Sequence, residues 1–146
     1  MSSETLICDT SFVANLMRRE IRPGRYLHWG DAVLDRVEGA SLAISIVTVA
    51  ELRAGYVSAG WGRRTVTNSE RMVAGFVRVP IEDSHLNEWA RLWVAARARG
   101  IAISHNDLWI VATASVHSQV LVTCDRDHVR IASELSAEVL YLQPPV

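Results

Sequence analysis

The feature that most constrains this chain is the alternation of short apolar runs with stretches of helical periodicity. Thr5–Cys8, Leu42–Ile46, Phe76–Pro80, Val120–Thr123 and Val139–Leu142 read as strands, each a few residues long and bounded by polar or turn-forming residues. Between them lie segments with apolar residues three and four apart: Ser11–Arg18, Tyr26–Val37, Thr48–Ser58, Arg64–Gly75, a long helix capped by Asp83 or Ser84 and ending before Gly100, Asn106–His117, and a short one over Arg126–Leu135. Gly39, Arg22-Pro23-Gly24-Arg25 and Gly60-Trp61-Gly62 punctuate the pattern. Strands that alternate with helices predict a parallel sheet covered on both faces, and at 146 residues the chain is expected to be one domain.

An open sheet of that kind places its site beyond the carboxyl ends of its strands. Four acidic residues fall there. Asp9 follows the first strand directly, and Asp125 lies just past the fourth. Glu51 is expected in the first turn of the helix after the second strand, and Asp107 in the first turn of the helix before the fourth; Asp127 follows close by. Each has a local explanation as well. Thr48-x-x-Glu51 matches a capping box, Asn106-Asp107 is an ordinary helix start, Asp9 before Thr10-Ser11 is a cap, and Asp125-Arg126-Asp127 is a solvated turn. Capping does not require all of them on one edge. Carboxylates gathered in one place repel unless protons or cations offset them. Oxygen donors without Cys or a His-x-x-x-His pair point to Mg²⁺ or Mn²⁺ rather than Zn²⁺. One ion or a pair about 4 Å apart would suit phosphodiester hydrolysis.

Charge permits a polyanionic substrate without demanding one. The net charge is −1, but setting aside the five carboxylates leaves 11 acidic residues against 15 basic ones, all of them Arg. Guanidinium groups suit bidentate phosphate contacts. Cys8 and Cys124 are too few for a disulfide framework and read as buried free thiols. No apolar run is long enough to span a membrane and no signal peptide is read, so a cytoplasmic protein is expected.

The residues around the carboxylates resemble a known family. Cys8-Asp9-Thr10-Ser11, Thr48-Val49-Ala50-Glu51-Leu52-Arg53-Ala54-Gly55, Asn106-Asp107-Leu108-Trp109-Ile110-Val111-Ala112-Thr113-Ala114 and Thr123-Cys124-Asp125-Arg126-Asp127-His128 are similar, in order, to the four motifs of PIN-domain ribonucleases. The resemblance spans nearly the whole chain and is nearest to the VapC toxins of bacterial toxin–antitoxin pairs. It implies a single PIN-like domain over residues 1–146, a three-layer α/β/α sandwich with a five-stranded parallel sheet of order 3-2-1-4-5. It implies catalysis by Asp9, Glu51, Asp107 and Asp125, which would hold Mg²⁺ or Mn²⁺ with Asp127 as a further or outer ligand; either Asp125 or Asp127 can face the ion. Ser11 and Thr123 would support the carboxylates through hydrogen bonds. The implied partners are an RNA substrate, a small VapB-type antitoxin and a second copy in a homodimer. A PIN nuclease of RNA maturation is the alternative within the family. His128 stands where the family usually carries Phe, and its ring is expected to pack as that Phe would.

Other readings compete less well. A haloacid-dehalogenase-like phosphatase would want a second Asp where Ser11 stands, and a receiver-like signalling domain, the non-enzymatic acidic-pocket alternative, would want a Lys that this chain lacks. Trp89 and Trp93, four residues apart, are expected in a core or dimer stripe, and Trp61 on the surface. His105 is expected to be a loop residue. Arg18, Arg19, Arg22 and Arg25 form either a groove lining or a solvated basic loop.

Overall fold

The structure, a computed structural model, describes residues 4–21, 31–135 and 137–142. Its elements run β1 (Thr5–Cys8), α1 (Thr10–Ile21), α2 (Asp31–Gly39), β2 (Ser41–Ser45), α3 (Ile46–Ser58), α4 (Arg63–Val73), β3 (Val77–Val79), α5 (Asp83–Ala98), α6 (His105–Val116), β4 (Val120–Thr123), α7 (Arg126–Glu134) and β5 (Val139–Tyr141). The strands form one sheet of order β3-β2-β1-β4-β5, and every neighbouring pair is parallel. The expected topology is therefore the observed one.

Strand residues alternate between two apolar layers because successive side chains leave a strand on opposite faces. Leu6, Cys8, Ile44, Val120 and Val122 pack on one face with Phe12 and Val13 of α1, Leu52 and Tyr56 of α3 and Val73 of α4. Ile7, Ala43 and Leu121 pack on the other with Leu92 and Ala96 of α5, Leu108 and Val111 of α6, and Ile131 and Ala132 of α7. Burying both faces is what lets parallel strands only three to five residues long persist. Among the described residues no helix is long and apolar enough to cross a membrane.

Strand order reverses between β1 and β4, so the crevice beyond their carboxyl ends is the topological switch point. The ladder there extends one residue past β1, where the Asp9 amide donates to the Val122 carbonyl at 3.0 Å. Asp9 and Asp125 are thus carried on adjacent strands of one edge.

Helix starts differ from expectation where a serine caps the helix one or two residues earlier. α3 begins at Ile46 rather than Thr48, because Ser45 Oγ accepts the Val47 amide at 3.1 Å. α6 begins at His105, because Ser104 Oγ accepts the Asp107 amide at 3.1 Å. α5 is capped by Glu82 rather than by Asp83 or Ser84, with the Glu82 amide donating to His85 Nδ1 at 3.1 Å. Its end is as expected: Gly100 adopts φ +68°, and the next amide, of Ile101, bonds back to Ala96 O at 2.8 Å. α2 occupies the second half of the expected Tyr26–Val37 helix and runs on to Gly39; the first part, residues 26–30, lies outside the described residues.

Candidate active site

Asp9 is the most enclosed carboxylate of the edge, with 2% of its surface exposed. Its Oδ1 accepts two bonds, from Ser11 Oγ at 2.7 Å and from the Phe12 amide at 2.8 Å, the latter capping α1. Its Oδ2 lies 2.9 Å from Nδ1 of His128, a ring buried on α7. Ser11 is a node. Its single proton goes to Asp9, so its oxygen accepts the Cys124 amide at 3.0 Å and the Thr123 hydroxyl at 3.3 Å. Thr123 Oγ1 in turn accepts the Asp125 amide at 3.0 Å. Hydrogen bonds thus run in one continuous chain from β4 through Thr123 and Ser11 to the Asp9 carboxylate.

Glu51 sits in the second turn of α3, since that helix starts two residues earlier than expected. The capping-box reading is excluded, because Ser45 holds the cap. Glu51 Oε1 instead accepts from Thr10 Oγ1 at 2.7 Å, and Thr10 lies 3.2 Å from Thr48 Oγ1. Asp107 is in the first turn of α6, but Ser104 supplies that cap, so the Asp107 carboxylate is not used there. Asp125 does cap: its Oδ1 accepts the Asp127 amide at 2.9 Å at the start of α7. Asp127 lies in the first turn of that helix and is exposed.

The electrostatics connect these groups. Burial disfavours a charged His128, but its bond to Asp9 and the charges of Asp9, Asp107 and Asp125 outweigh that, holding the imidazole above its ordinary range. The thiols stay out of the chemistry. Burial, then the Asp9 charge, pushes Cys8 far above the usual thiol range and Cys124 up to about 12.

The donor set suits a hard cation. Among the described residues no group of three or more His, Cys, Asp or Glu side chains could by itself hold a metal ion. Mg²⁺ does not need one, because it keeps several waters and takes one or two carboxylates directly. An edge of carboxylate oxygens with its thiols held protonated and buried fits such an ion and argues against Zn²⁺.

Two members of this network were not among the expected site residues: Thr10, and His128, expected simply to pack. The remaining features fall outside the edge network. Trp89 stacks on Trp93 and Trp109 at centroid distances of 6.2 and 5.2 Å, the three half-buried, with Arg97 over Trp93. Trp61 is 40% exposed and stacks on Tyr56. His105 is the first residue of α6, exposed and edge-on to Trp89. The side chains of Arg18 and Arg19, and all of Arg22 and Arg25, lie outside the described residues.

The family model for the PIN domain matches residues 6–134. Ribonuclease VapC5 of Mycobacterium tuberculosis is 31% identical over 104 residues, covering 68% of this chain and 75% of that protein. The VapC ribonuclease Y4jK of Sinorhizobium fredii is 31% identical over 128 residues, 82% of this chain and 86% of the relative. Among solved structures, VapBC2 from Rickettsia felis, bound to a DNA fragment from its promoter, superposes with a TM-score of 0.77 over 95% of this chain and 99% of that one, at 15% identity. The toxin–antitoxin structure VapBC-5 from Mycobacterium tuberculosis gives 0.65 over 95% and 98%, at 26% identity.

Proposed function

The chain belongs to the PIN-domain family, and from that premise we propose that it is a divalent-metal-dependent ribonuclease of the VapC kind, the toxin of a toxin–antitoxin pair. The observation that carries the reading is the Asp9 carboxylate at the switch point, buried and with one oxygen saturated by donors.

Asp9, Glu51, Asp107 and Asp125 would supply the oxygen ligands, directly or through the ion's own waters, with Asp127 as a further or outer ligand; the ion would be Mg²⁺ or Mn²⁺. Bound there, a divalent cation supplies Lewis-acid polarisation of the phosphodiester and acidification of an attacking water. The protein's own groups do the positioning. The Thr123–Ser11 chain and the Phe12 amide hold Asp9 Oδ1, and Thr10 orients Glu51 toward the same edge from the neighbouring helix. No side-chain nucleophile is required. Residues 1–146 act as one domain in the cytoplasm, as a homodimer that a small VapB-type antitoxin silences. The VapC relatives and the VapBC-5 neighbour favour this toxin role over RNA maturation.

Purified protein is expected to cleave RNA in Mg²⁺ or Mn²⁺, to stop in EDTA, and to lose cleavage in Asp9→Asn. Cleavage at the parent rate by the folded Asp9→Asn protein would overturn the assignment.

A further inference from the structure

Resting on Asp9 as a metal ligand, we propose that His128 is a positioning residue that fixes the mode in which Asp9 meets the ion: through one oxygen, Oδ2, and one lone pair of it. The accounting is direct. An ionised carboxylate only accepts, and offers about two sites on each oxygen. Ser11 Oγ and the Phe12 amide, at 2.7 and 2.8 Å, fill Oδ1. His128 Nδ1, at 2.9 Å, must be the donor to Oδ2 and fills half of that oxygen. A single acceptor site remains. Two-oxygen chelation by Asp9 would require breaking the Ser11 or Phe12 bond in a place too buried for water to replace it.

The ring is placed for this task by its helix. Asp125 caps α7, and His128 is the third residue of that helix, so the cap that Asp125 makes with the Asp127 amide also sets where the ring reaches. Two candidate ligands are thereby joined: the orientation of Asp9 depends on a ring whose helix starts at Asp125. Packing alone does not account for a histidine here. The ring is 4% exposed, and its Nε2 is buried without a hydrogen-bond partner among the described residues. An apolar ring would fill the space without orphaning a polar atom. Among the described residues, the one polar bond that the imidazole makes is the one to Asp9.

The test is Mn²⁺ binding measured by calorimetry, without substrate, on the parent and four variants: His128→Phe, His128→Asn, His128→Gln and Asp9→Asn. Loss of a group that orients a ligand from behind costs about 10–100-fold in metal affinity, and that loss is expected for His128→Phe. An Asn amide can place its N–H near the position of imidazole Nδ1, whereas Gln places it nearer Nε2. His128→Asn should therefore recover most of the affinity and His128→Gln should not. Parent-like affinity in His128→Phe, or equal affinities in the Asn and Gln variants, would overturn the proposal. Should the Phe variant fail to fold, the Asn–Gln comparison decides alone. Asp9→Asn separates the two levels: parent-like Mn²⁺ binding there overturns the ligand reading of Asp9 itself, and with it this proposal. Loss of binding in Asp9→Asn with parent-like binding in His128→Phe overturns this proposal only.

Discussion

Ser11→Ala is the substitution for which the structure specifies the largest effect from the fewest atoms. Ser11 Oγ donates to the buried Asp9 carboxylate at 2.7 Å, accepts the Cys124 amide at 3.0 Å and lies 3.3 Å from Thr123 Oγ1. Alanine removes a hydrogen bond to a charged group, worth roughly 1.5–3 kcal/mol, and strands a backbone amide in a buried stretch, worth roughly 1–3 kcal/mol. Partial relaxation and the small volume change offset some of this, leaving a loss of about 3 kcal/mol. That is a large share of the roughly 5–15 kcal/mol that holds a domain together. The assay is urea unfolding in EDTA, so that ion binding to the native state does not enter. With a denaturant slope of about 2 kcal/mol/M, the midpoint should fall by about 1.5 M at unchanged slope. A shift below about 0.3 M would refute the hydrogen-bond chain from Thr123 to Asp9.

Thr10→Val removes the 2.7 Å bond to Glu51 in a half-buried place open to water, so about 1 kcal/mol is expected in the same assay, clearly less than for Ser11→Ala; equal losses would show that burial does not set the difference. A pH effect is expected at His85, away from the acidic edge. Burial first, and the facing His117 second, lower its pKa, while Glu82 opposes them. Its Nδ1 accepts the Glu82 amide and its Nε2 lies 3.1 Å from His117 Nε2, so a second proton on the ring would set donor against donor. A histidine depressed in the fold contributes stability that is present above its unfolded value of about 6.5 and lost as pH falls through the lower folded value. Urea midpoints of the parent should therefore drop on acidification from pH 7 to pH 5, and His85→Asn should show a shallower drop; parallel curves would refute the assignment.

The fold was legible because both of its determinants are local. A strand of four residues with Leu6 and Cys8 on one side and Ile7 on the other declares two buried faces without reference to any other segment. Strand order was not legible in that way. It came from the motifs, since alternation of elements specifies parallel pairing but not which strand lies beside which. Helix starts were misplaced by one to two residues where Ser45 and Ser104 cap, because Ile46 continues the apolar run of β2 and His105 looks like loop. A serine three residues before a helix-compatible polar residue was the available signal in both places.

The site divides along the same line. Local rules read Asp9, Glu51 and Asp107 as helix caps and Asp125-Arg126-Asp127 as a solvated turn; Asp125 in fact caps α7, and the cap reading is correct for Asp9, which caps α1. It is wrong for Glu51 and Asp107, whose helices are already capped by serine. Capping and function are therefore not alternatives at this edge: a carboxylate whose Oδ1 holds a helix start still has Oδ2 for an ion. What no local rule could supply is the pairing of groups far apart in the chain. Thr10 meets Glu51 across 41 residues, and His128 meets Asp9 across 119. Helical and strand periodicities carry no information at those separations. A histidine where a phenylalanine is usual thus reads as packing until the fold brings Nδ1 to Oδ2. At that distance it becomes a constraint on which oxygen of Asp9 remains free.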